Sequence, residues 1–170
     1  MSVNDQDLTR LAAELGKQLV SAQAQVTTAE SCTGGGIAEA ITRVPGSSAW
    51  FEAGYVTYSN AQKTQQLRVS PELFGSVGAV SEEVVVEMVS GAQANSGARY
   101  AVAVSGVAGP DGGSAEKPVG TVWVAWAEGS KVFTQRCLFA GDREQVRRQT
   151  VYTALEGLLR LLAKENPIVG

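Results

Sequence analysis

Histidine is absent from the 170 residues of the sequence. Its absence excludes any Ser-His-Asp triad, Cys-His pair or histidine zinc site built within this chain. Only two cysteines are present, Cys32 and Cys137, which are too few for a structural zinc site made of cysteines alone. If the chain is an enzyme, its proton transfers must use Lys, Tyr, Asp or Glu side chains.

Long apolar runs and an excess of one charge are also missing. No segment approaches the roughly 20 apolar residues that a membrane helix needs, so no membrane partner is expected. Fourteen Lys and Arg residues against seventeen Asp and Glu residues give a net charge of −3, which argues against nucleic acid as a partner. The first residues, MSVNDQDLTR, lack the basic and apolar regions of a signal peptide. Together these absences predict a cytoplasmic protein.

The composition that is present suits one folded domain spanning residues 1–170. Hydrophobic residues make up 44% of the chain and charged residues 18%, enough for a core. In the first two thirds, helical patterns alternate with strand patterns, and a β-hairpin and a helix close the chain. This order predicts a single α/β domain, a three-layer α/β/α arrangement with a mixed sheet. The predicted strands are residues 26–29, 53–58, 100–105, 121–127 and 132–139. The predicted helices are a first helix capped by Asn4 or Asp5 with apolar positions from Leu8 to Leu19, and helices at 37–44, 60–67, 82–94 and 142–163.

Three loops follow three of the predicted strands and begin near Ser31, Ser59 and Ser105. If these strands are parallel, the loops meet at the edge of the sheet where α/β folds place their sites. The first loop, TAESCTGGG, places Ser31 between a strand and a glycine-rich helix start, like the nucleophile of other hydrolases. Backbone N–H groups from Cys32 to Gly34 could stabilise an oxyanion or hold a phosphate. Alternatively, Ser31 caps the helix and the glycines merely permit a tight turn.

The second loop, YSNAQK, supplies a candidate base. With Asn60 as the helix cap, Lys63 lies in the first turn, where the helix dipole and burial would lower its pKa. A neutral lysine can take the proton of a serine hydroxyl. A solvated surface lysine is the alternative interpretation. Cys32 competes with Ser31 as the nucleophile, but no histidine is present to ionise its thiol.

Three further features lie on or near these loops. Tyr58 could hydrogen-bond Ser31 or Lys63 and relay a proton, or it could be a core tyrosine with its tip in water. The third loop, SGVAGPDGGSAEKPVG, begins at Ser105 and Gly106, where backbone amides can approach a ligand; a mobile surface loop is the alternative.

Arg143 opens the last helix and is a candidate anion clamp. Arg147 and Arg148 are expected to be solvated or to contact another subunit.

Four stretches of the chain together match a known family. They are TAESCTGG at 28–35, YVTYSNAQK at 55–63, SGVAGPDGGSAEKPVG at 105–120 and FAGDREQVR at 139–147. The chain therefore resembles the CinA C-terminal domain family, whose stand-alone members are nicotinamide mononucleotide deamidases. The resemblance implies a three-layer α/β/α fold and hydrolysis of the carboxamide of nicotinamide mononucleotide to nicotinate mononucleotide and ammonia.

The resemblance also implies roles for particular residues. Ser31 would be the nucleophile, Lys63 its base, and Tyr58 would assist the pair. The loop from Ser105 and the side chain of Arg143 would lie near the nucleotide. We accordingly expect substrate contacts from Cys32, Thr33, Gly34, Gly35, Ser105, Gly106 and Arg143, with no metal and no cofactor.

Two other functions remain open at this point. A nucleotide-binding or protein-interaction module without turnover would use the same glycine loops but would need neither Ser31 nor Lys63 as reactants. A cysteine-dependent amidase would use Cys32 instead. An exposed sheet edge or helix in so small a domain could also support a homodimer.

Overall fold

Five strands and six helices follow the order expected from the sequence, apart from one short helix that it did not reveal. The computed structural model describes residues 2–168, and no helix in that range is long and apolar enough to cross a membrane. The strands are β1 (Val26–Glu30), β2 (Phe51–Val56), β3 (Tyr100–Gly106), β4 (Thr121–Glu128) and β5 (Lys131–Leu138). The helices are α1 (Asp5–Ala22), α2 (Gly36–Thr42), α3 (Asn60–Leu67), α4 (Glu72–Ser76), α5 (Glu82–Ser96) and α6 (Arg143–Leu162).

The strands form one mixed sheet in the order β2-β1-β3-β4-β5. β1 pairs in parallel with both β2 and β3, whereas β3–β4 and β4–β5 are antiparallel. The mixed sheet, the closing hairpin and the α/β fold class predicted from the sequence are therefore confirmed. Because β1, β2 and β3 run in the same direction, the loops after them leave the sheet at the same edge.

The two faces of the sheet carry side chains of different size. On β3, Tyr100, Val102 and Val104 face the core shared with α1, α2 and α6, while Ala101 and Ala103 face the core shared with α5. β4 alternates in the same way. Helices therefore cover both faces of the sheet, and alanines let α5 approach its face closely. This arrangement is the predicted three-layer architecture.

Four local expectations differ from the structure. β2 begins and ends two residues earlier than predicted, so Thr57 and Tyr58 lie beyond its end. Ser59 rather than Asn60 caps α3, accepting a hydrogen bond from the Gln62 N–H at 3.1 Å. α2 ends at Thr42, and α4 was not predicted at all. The shift of β2 matters for the site, because it moves Tyr58 from the strand into the loop.

Candidate active site

A small cavity opens at the carboxyl ends of β1, β2 and β3. Its volume is about 220 Å³, and each of the three loops singled out in the sequence contributes to its wall. The predicted convergence of the loops is thus confirmed by the parallel pairing of the strands. The lining residues are Ser31, Cys32, Tyr58, Asn60, Lys63, Ala79, Val80, Ser105, Gly106, Ala108 and Arg143.

Ser31 lies at the first residue of a tight turn that leaves β1. The Gly34 N–H donates to the Ser31 carbonyl at 3.0 Å and closes the turn. Gly34 and Gly35 have φ angles of +58° and +102°, a region that glycine adopts at no steric cost. Ser31 itself is buried but reaches the cavity. The Gly34 N–H thus already has an acceptor within the turn, and the predicted contacts of Cys32, Thr33, Gly34 and Gly35 with substrate stay predictions.

Glu30 is a buried carboxylate beside the nucleophile candidate, and sequence reasoning missed it. Its oxygens accept hydrogen bonds from the Thr33 hydroxyl at 2.5 Å and from the N–H groups of Ile37 at 2.8 Å and Ala38 at 3.0 Å. The N–H groups of Ile37 and Ala38 lie in the first turn of α2, where the helix itself offers them no acceptor. Gly35, the N-cap residue, has no side chain that could bond them. Glu30 therefore ties the Ser31 turn to the helix that follows it.

Lys63 lies in the first turn of α3 and is buried, with 1% of its surface exposed. Burial lowers the pKa of its amine below the ordinary value of 10.5, because the charged form loses its hydration. Its Nζ donates to the Tyr58 carbonyl at 3.2 Å. The alternative of a solvated surface lysine is therefore wrong, and the structure places a buried amine in the wall that also contains Ser31.

Cys32 is a buried thiol whose pKa is raised to about 12. Burial is the main cause, and the neighbouring Glu30 carboxylate adds to it. Since the thiolate is the reactive form of cysteine, this environment works against Cys32 as a nucleophile.

Tyr58 and Arg143 meet at the mouth of the cavity. The Tyr58 hydroxyl accepts a hydrogen bond from Arg143 Nη2 at 3.0 Å, and Arg143 Nη1 donates to the Gly109 carbonyl at 2.7 Å. Tyr58 is 59% exposed, so the interpretation as a core tyrosine is wrong. Arg143 is exposed and links α6 to two of the three loops.

Ser105 and Gly106 also line the cavity, where each has a structural task. The Ser105 hydroxyl donates to the Ala79 carbonyl at 2.9 Å and fixes the segment before α5. A Cβ atom on Gly106 would lie 2.5 Å from Val122 Cγ2 and 2.8 Å from the Thr121 carbonyl oxygen, so only glycine fits there. Their predicted contact with substrate stays a prediction.

A larger groove adjoins the cavity and shares Ala108 and Arg143 with it. Its volume is about 1010 Å³, and it lies between α1, α2, α6 and the loop after β3. Two of its arginines, Arg43 and Arg148, form ion pairs with Asp5 and with glutamates on their own helices. The lining residues are Asp5, Leu8, Thr33, Gly36, Glu39, Arg43, Ala108, Pro110, Val119, Gly141, Asp142, Arg143, Glu144, Arg147, Arg148 and Val151.

Arg147 was expected to be solvated or to contact another subunit, and the first of these expectations is wrong. It is half-buried, and its Nε and Nη2 donate to the carbonyls of Cys32 and Thr33 at 3.2 and 3.1 Å. No signal in the sequence pairs residues 115 positions apart. Among residues 2–168, no group of three or more His, Cys, Asp or Glu side chains is placed to hold a metal ion.

The chain is similar to known proteins along most of its length. The model of the CinA C-terminal domain matches residues 8–162. Nicotinamide-nucleotide amidohydrolase PncC from Pseudomonas putida is 75% identical over 154 residues, which cover 91% of this chain and 96% of that protein. The protein of the same name from Escherichia coli K12 is 54% identical over 157 residues, covering 92% and 95%. The crystal structure of the competence damage-inducible protein A from Klebsiella pneumoniae has a TM-score of 0.89 and 43% identity, covering 92% of this chain and 97% of that one.

Proposed function

The chain belongs to the CinA C-terminal domain family, and from this membership we propose that it is an amidohydrolase that converts nicotinamide mononucleotide to nicotinate mononucleotide and ammonia. The names of relatives that are 75% and 54% identical over nearly the whole chain support the reaction class and the substrate. The observation that carries the mechanism is the presence of Ser31 and a buried lysine, Lys63, in the wall of one cavity.

In the first step, the Ser31 hydroxyl attacks the carboxamide carbon of the nucleotide. A neutral amine on Lys63 has a lone pair that takes the hydroxyl proton, and burial favours that neutral form. The carbonyl double bond opens to an oxyanion. The N–H groups of Cys32 and Thr33 are the donors that we assign to it, since the Gly34 N–H is already bonded within the turn.

In the second step, the protonated Lys63 returns its proton to the amide nitrogen. The C–N bond then breaks, ammonia leaves, and the nicotinoyl group stays on Ser31 as an ester. A water molecule attacks this ester while Lys63 accepts one of its protons. Ser31 takes that proton back as its bond to the acyl carbon breaks, and the released carboxylic acid then gives its own proton to solvent and becomes the carboxylate. The Tyr58 hydroxyl, held by Arg143, stays a candidate relay for the proton that reaches the leaving group.

The two connected cavities suit the two ends of a nucleotide. The inner cavity, at about 220 Å³, is smaller than the roughly 300–1,000 Å³ typical of pockets that hold a whole small molecule. We therefore assign the pyridine carboxamide to the inner cavity and the ribose phosphate to the adjoining groove. Arg143 lines both spaces, and its guanidinium matches the geometry of a phosphate.

The reaction needs only the nucleotide and water, without a metal or cofactor. We further propose that the protein acts in the cytoplasm, where its two free cysteines would stay reduced. A homodimer stays an expectation from the size of the domain.

One assay tests the proposal and its alternatives. Purified protein is incubated with nicotinamide mononucleotide in the presence of a chelator, and both ammonia and nicotinate mononucleotide are measured. We expect Ser31→Ala and Lys63→Met to lose at least about 1,000-fold in kcat, in the range seen when members of a catalytic group are removed. Cys32→Ala should lose far less, because its thiol stays protonated.

Each alternative has its own outcome in that assay. A folded wild-type protein that releases no ammonia would favour the binding module without turnover. Loss of activity in Cys32→Ala with activity kept in Ser31→Ala would move the nucleophile to the cysteine. Inhibition by the chelator would contradict the metal-free mechanism.

A further inference from the structure

Arg147 holds two consecutive peptide groups of the Ser31 turn. Its Nε donates to the Cys32 carbonyl at 3.2 Å, and its Nη2 donates to the Thr33 carbonyl at 3.1 Å. Arg147 belongs to α6, so these contacts are the means by which the C-terminal helix reaches the turn. Within residues 2–168, none of the ion pairs formed by carboxylates involves Arg147. Its donors are instead directed at the backbone of the turn.

Within one peptide group, the direction of the carbonyl fixes the direction of the N–H of the following residue. The peptide groups of the turn are trans. In a trans peptide the C=O and N–H bonds point to opposite sides. With the Cys32 and Thr33 carbonyls aimed at Arg147, the N–H groups of Thr33 and Gly34 point away from it. The Gly34 N–H indeed reaches the Ser31 carbonyl on that side.

Thr33 is fixed from its other side as well. Its hydroxyl donates to Glu30, its carbonyl accepts from both Arg147 and the Gly36 N–H, and the residue is almost fully buried. Within residues 2–168 the Thr33 N–H has no backbone acceptor, and it is one of the two oxyanion donors assigned above. The orientation of that donor depends on the Cys32 carbonyl and hence on Arg147.

The charge of Arg147 also reaches the turn. Burial and Glu30 raise the pKa of the Cys32 thiol. Arg147 has a smaller effect in the opposite direction, because its positive charge favours the ionised thiol. A negative charge that develops at the turn during the reaction would feel the same attraction.

We propose that Arg147 is a positioning residue that orients the Thr33 N–H toward the oxyanion formed at Ser31. This role rests on the amide hydrolysis proposed above. Arg147 also lines the groove assigned to the ribose phosphate, but its hydrogen bonds are made with the turn, so the role proposed here is distinct from substrate binding. A hydrogen bond that is made only when the oxyanion forms stabilises the transition state and not the bound substrate. Its loss therefore lowers kcat more than it raises KM.

The test compares three variants by steady-state kinetics with nicotinamide mononucleotide. Arg147→Met removes both hydrogen bonds and should lower kcat about 10- to 100-fold, with KM changed less than about threefold. Arg147→Lys keeps the charge but has no planar fork to bond both carbonyls, so it should recover part of the lost kcat. Arg160→Met is the matched control, because Arg160 lies at the other end of α6 and pairs with Glu156. Its kcat should stay at the wild-type value.

Thermal unfolding separates positioning from stability. The Arg147→Lys variant retains the size and charge of the side chain and should unfold near the wild-type temperature, so a kcat defect in it reports the geometry of the turn. The proposal would be overturned if Arg147→Lys and Arg147→Met both kept the wild-type kcat, or if a higher KM were their only defect. If the wild-type protein released no ammonia from nicotinamide mononucleotide, the proposed function would be overturned, and the positioning role of Arg147 with it.

Discussion

In the proposed mechanism, Lys63 serves the reaction at a cost to the stability of the fold. Its helix, NAQKTQQL, is polar apart from Ala61 and Leu67, yet the amine is buried next to the cavity and its pKa is lowered. A buried amine is useful as a base because it can be neutral near physiological pH. The same burial penalises the folded state whenever the amine is protonated, since the unfolded chain hydrates that charge fully.

The pH dependence of the reaction follows from the state of Lys63. Because only the neutral amine accepts the Ser31 proton, kcat/KM should fall about tenfold per pH unit below the lowered pKa of Lys63 and level off above it. The profile is measured with nicotinamide mononucleotide over pH 5 to about 10. A residually active Lys63→Gln variant should lack this acid limb, and an unchanged limb in that variant would contradict the role of Lys63 as base.

Replacing Lys63 should lower the activity but raise the stability of the folded protein. The folded pKa of Lys63 lies below the unfolded value, so between the two the unfolded chain binds more protons and stability rises with pH. Lys63→Met removes this penalty. We expect the variant to unfold at a higher Tm than the wild type at neutral pH, with the gain shrinking as the pH approaches 10.5. A lower Tm at pH 7 with a normal unfolding transition would show that burial of the amine carries no such penalty.

At the scale of elements, the site depends on how closely α5 packs on α3. Gly91 of α5 contacts the last residue of α3, Leu67: a Cβ atom on Gly91 would lie 2.1 Å from the Leu67 carbonyl oxygen and 2.9 Å from its Cα. These are backbone atoms, which cannot move aside without displacing the helix. Since α3 also carries Lys63, the position of the base is coupled to the absence of a side chain at Gly91.

Gly91→Ala should therefore destabilise the protein although alanine favours helix. Because the added Cβ would clash with backbone atoms, the cost is expected at the upper end of the usual 1–3 kcal/mol for overpacking, about 3 kcal/mol, against roughly 1 kcal/mol that alanine gains in a helix interior. The control is Gly75→Ala in α4, where no atom lies within 4 Å of the added Cβ. Chemical denaturation measures both variants, and equal stabilities for the two would contradict the close approach of α5 to α3.

The sequence indicated most elements because their signals are local. The apolar run of β3, the hairpin of β4 and β5 and the Ser81 cap of α5 all depend on neighbours in the chain. The choice between Ser59 and Asn60 as the cap of α3 could not be made locally, since both side chains suit that position. The contacts of Glu30 and Arg147 and the burial of Lys63 are tertiary, so no local pattern indicated them. Ser31 and Lys63 could be proposed as a pair from the loops that follow their strands, and the four motifs that resemble a family added the reaction and the substrate.

At the scale of the molecule, Arg143 joins parts of the chain that lie far apart in sequence. From the first turn of α6 it bonds the Tyr58 hydroxyl, 85 residues away, and the Gly109 carbonyl in the loop after β3. It stands in the wall common to the inner cavity and the larger groove. None of the ion pairs within residues 2–168 includes it, so its positive charge is free to attract an anion at this boundary.

The assignment of the phosphate to that groove can be tested by comparing two substrates. Arg143→Gln should lower kcat/KM for nicotinamide mononucleotide about 10- to 100-fold, the effect of losing a hydrogen bond to a charged group. The loss for nicotinamide riboside, which lacks the phosphate, should stay within about threefold, because only the contacts to Tyr58 and Gly109 are then missing. Arg10→Gln, an exposed substitution on α1 away from both cavities, controls for the change in net charge. Equal losses for the two substrates would mean that Arg143 shapes the cavity mouth and that the phosphate binds elsewhere.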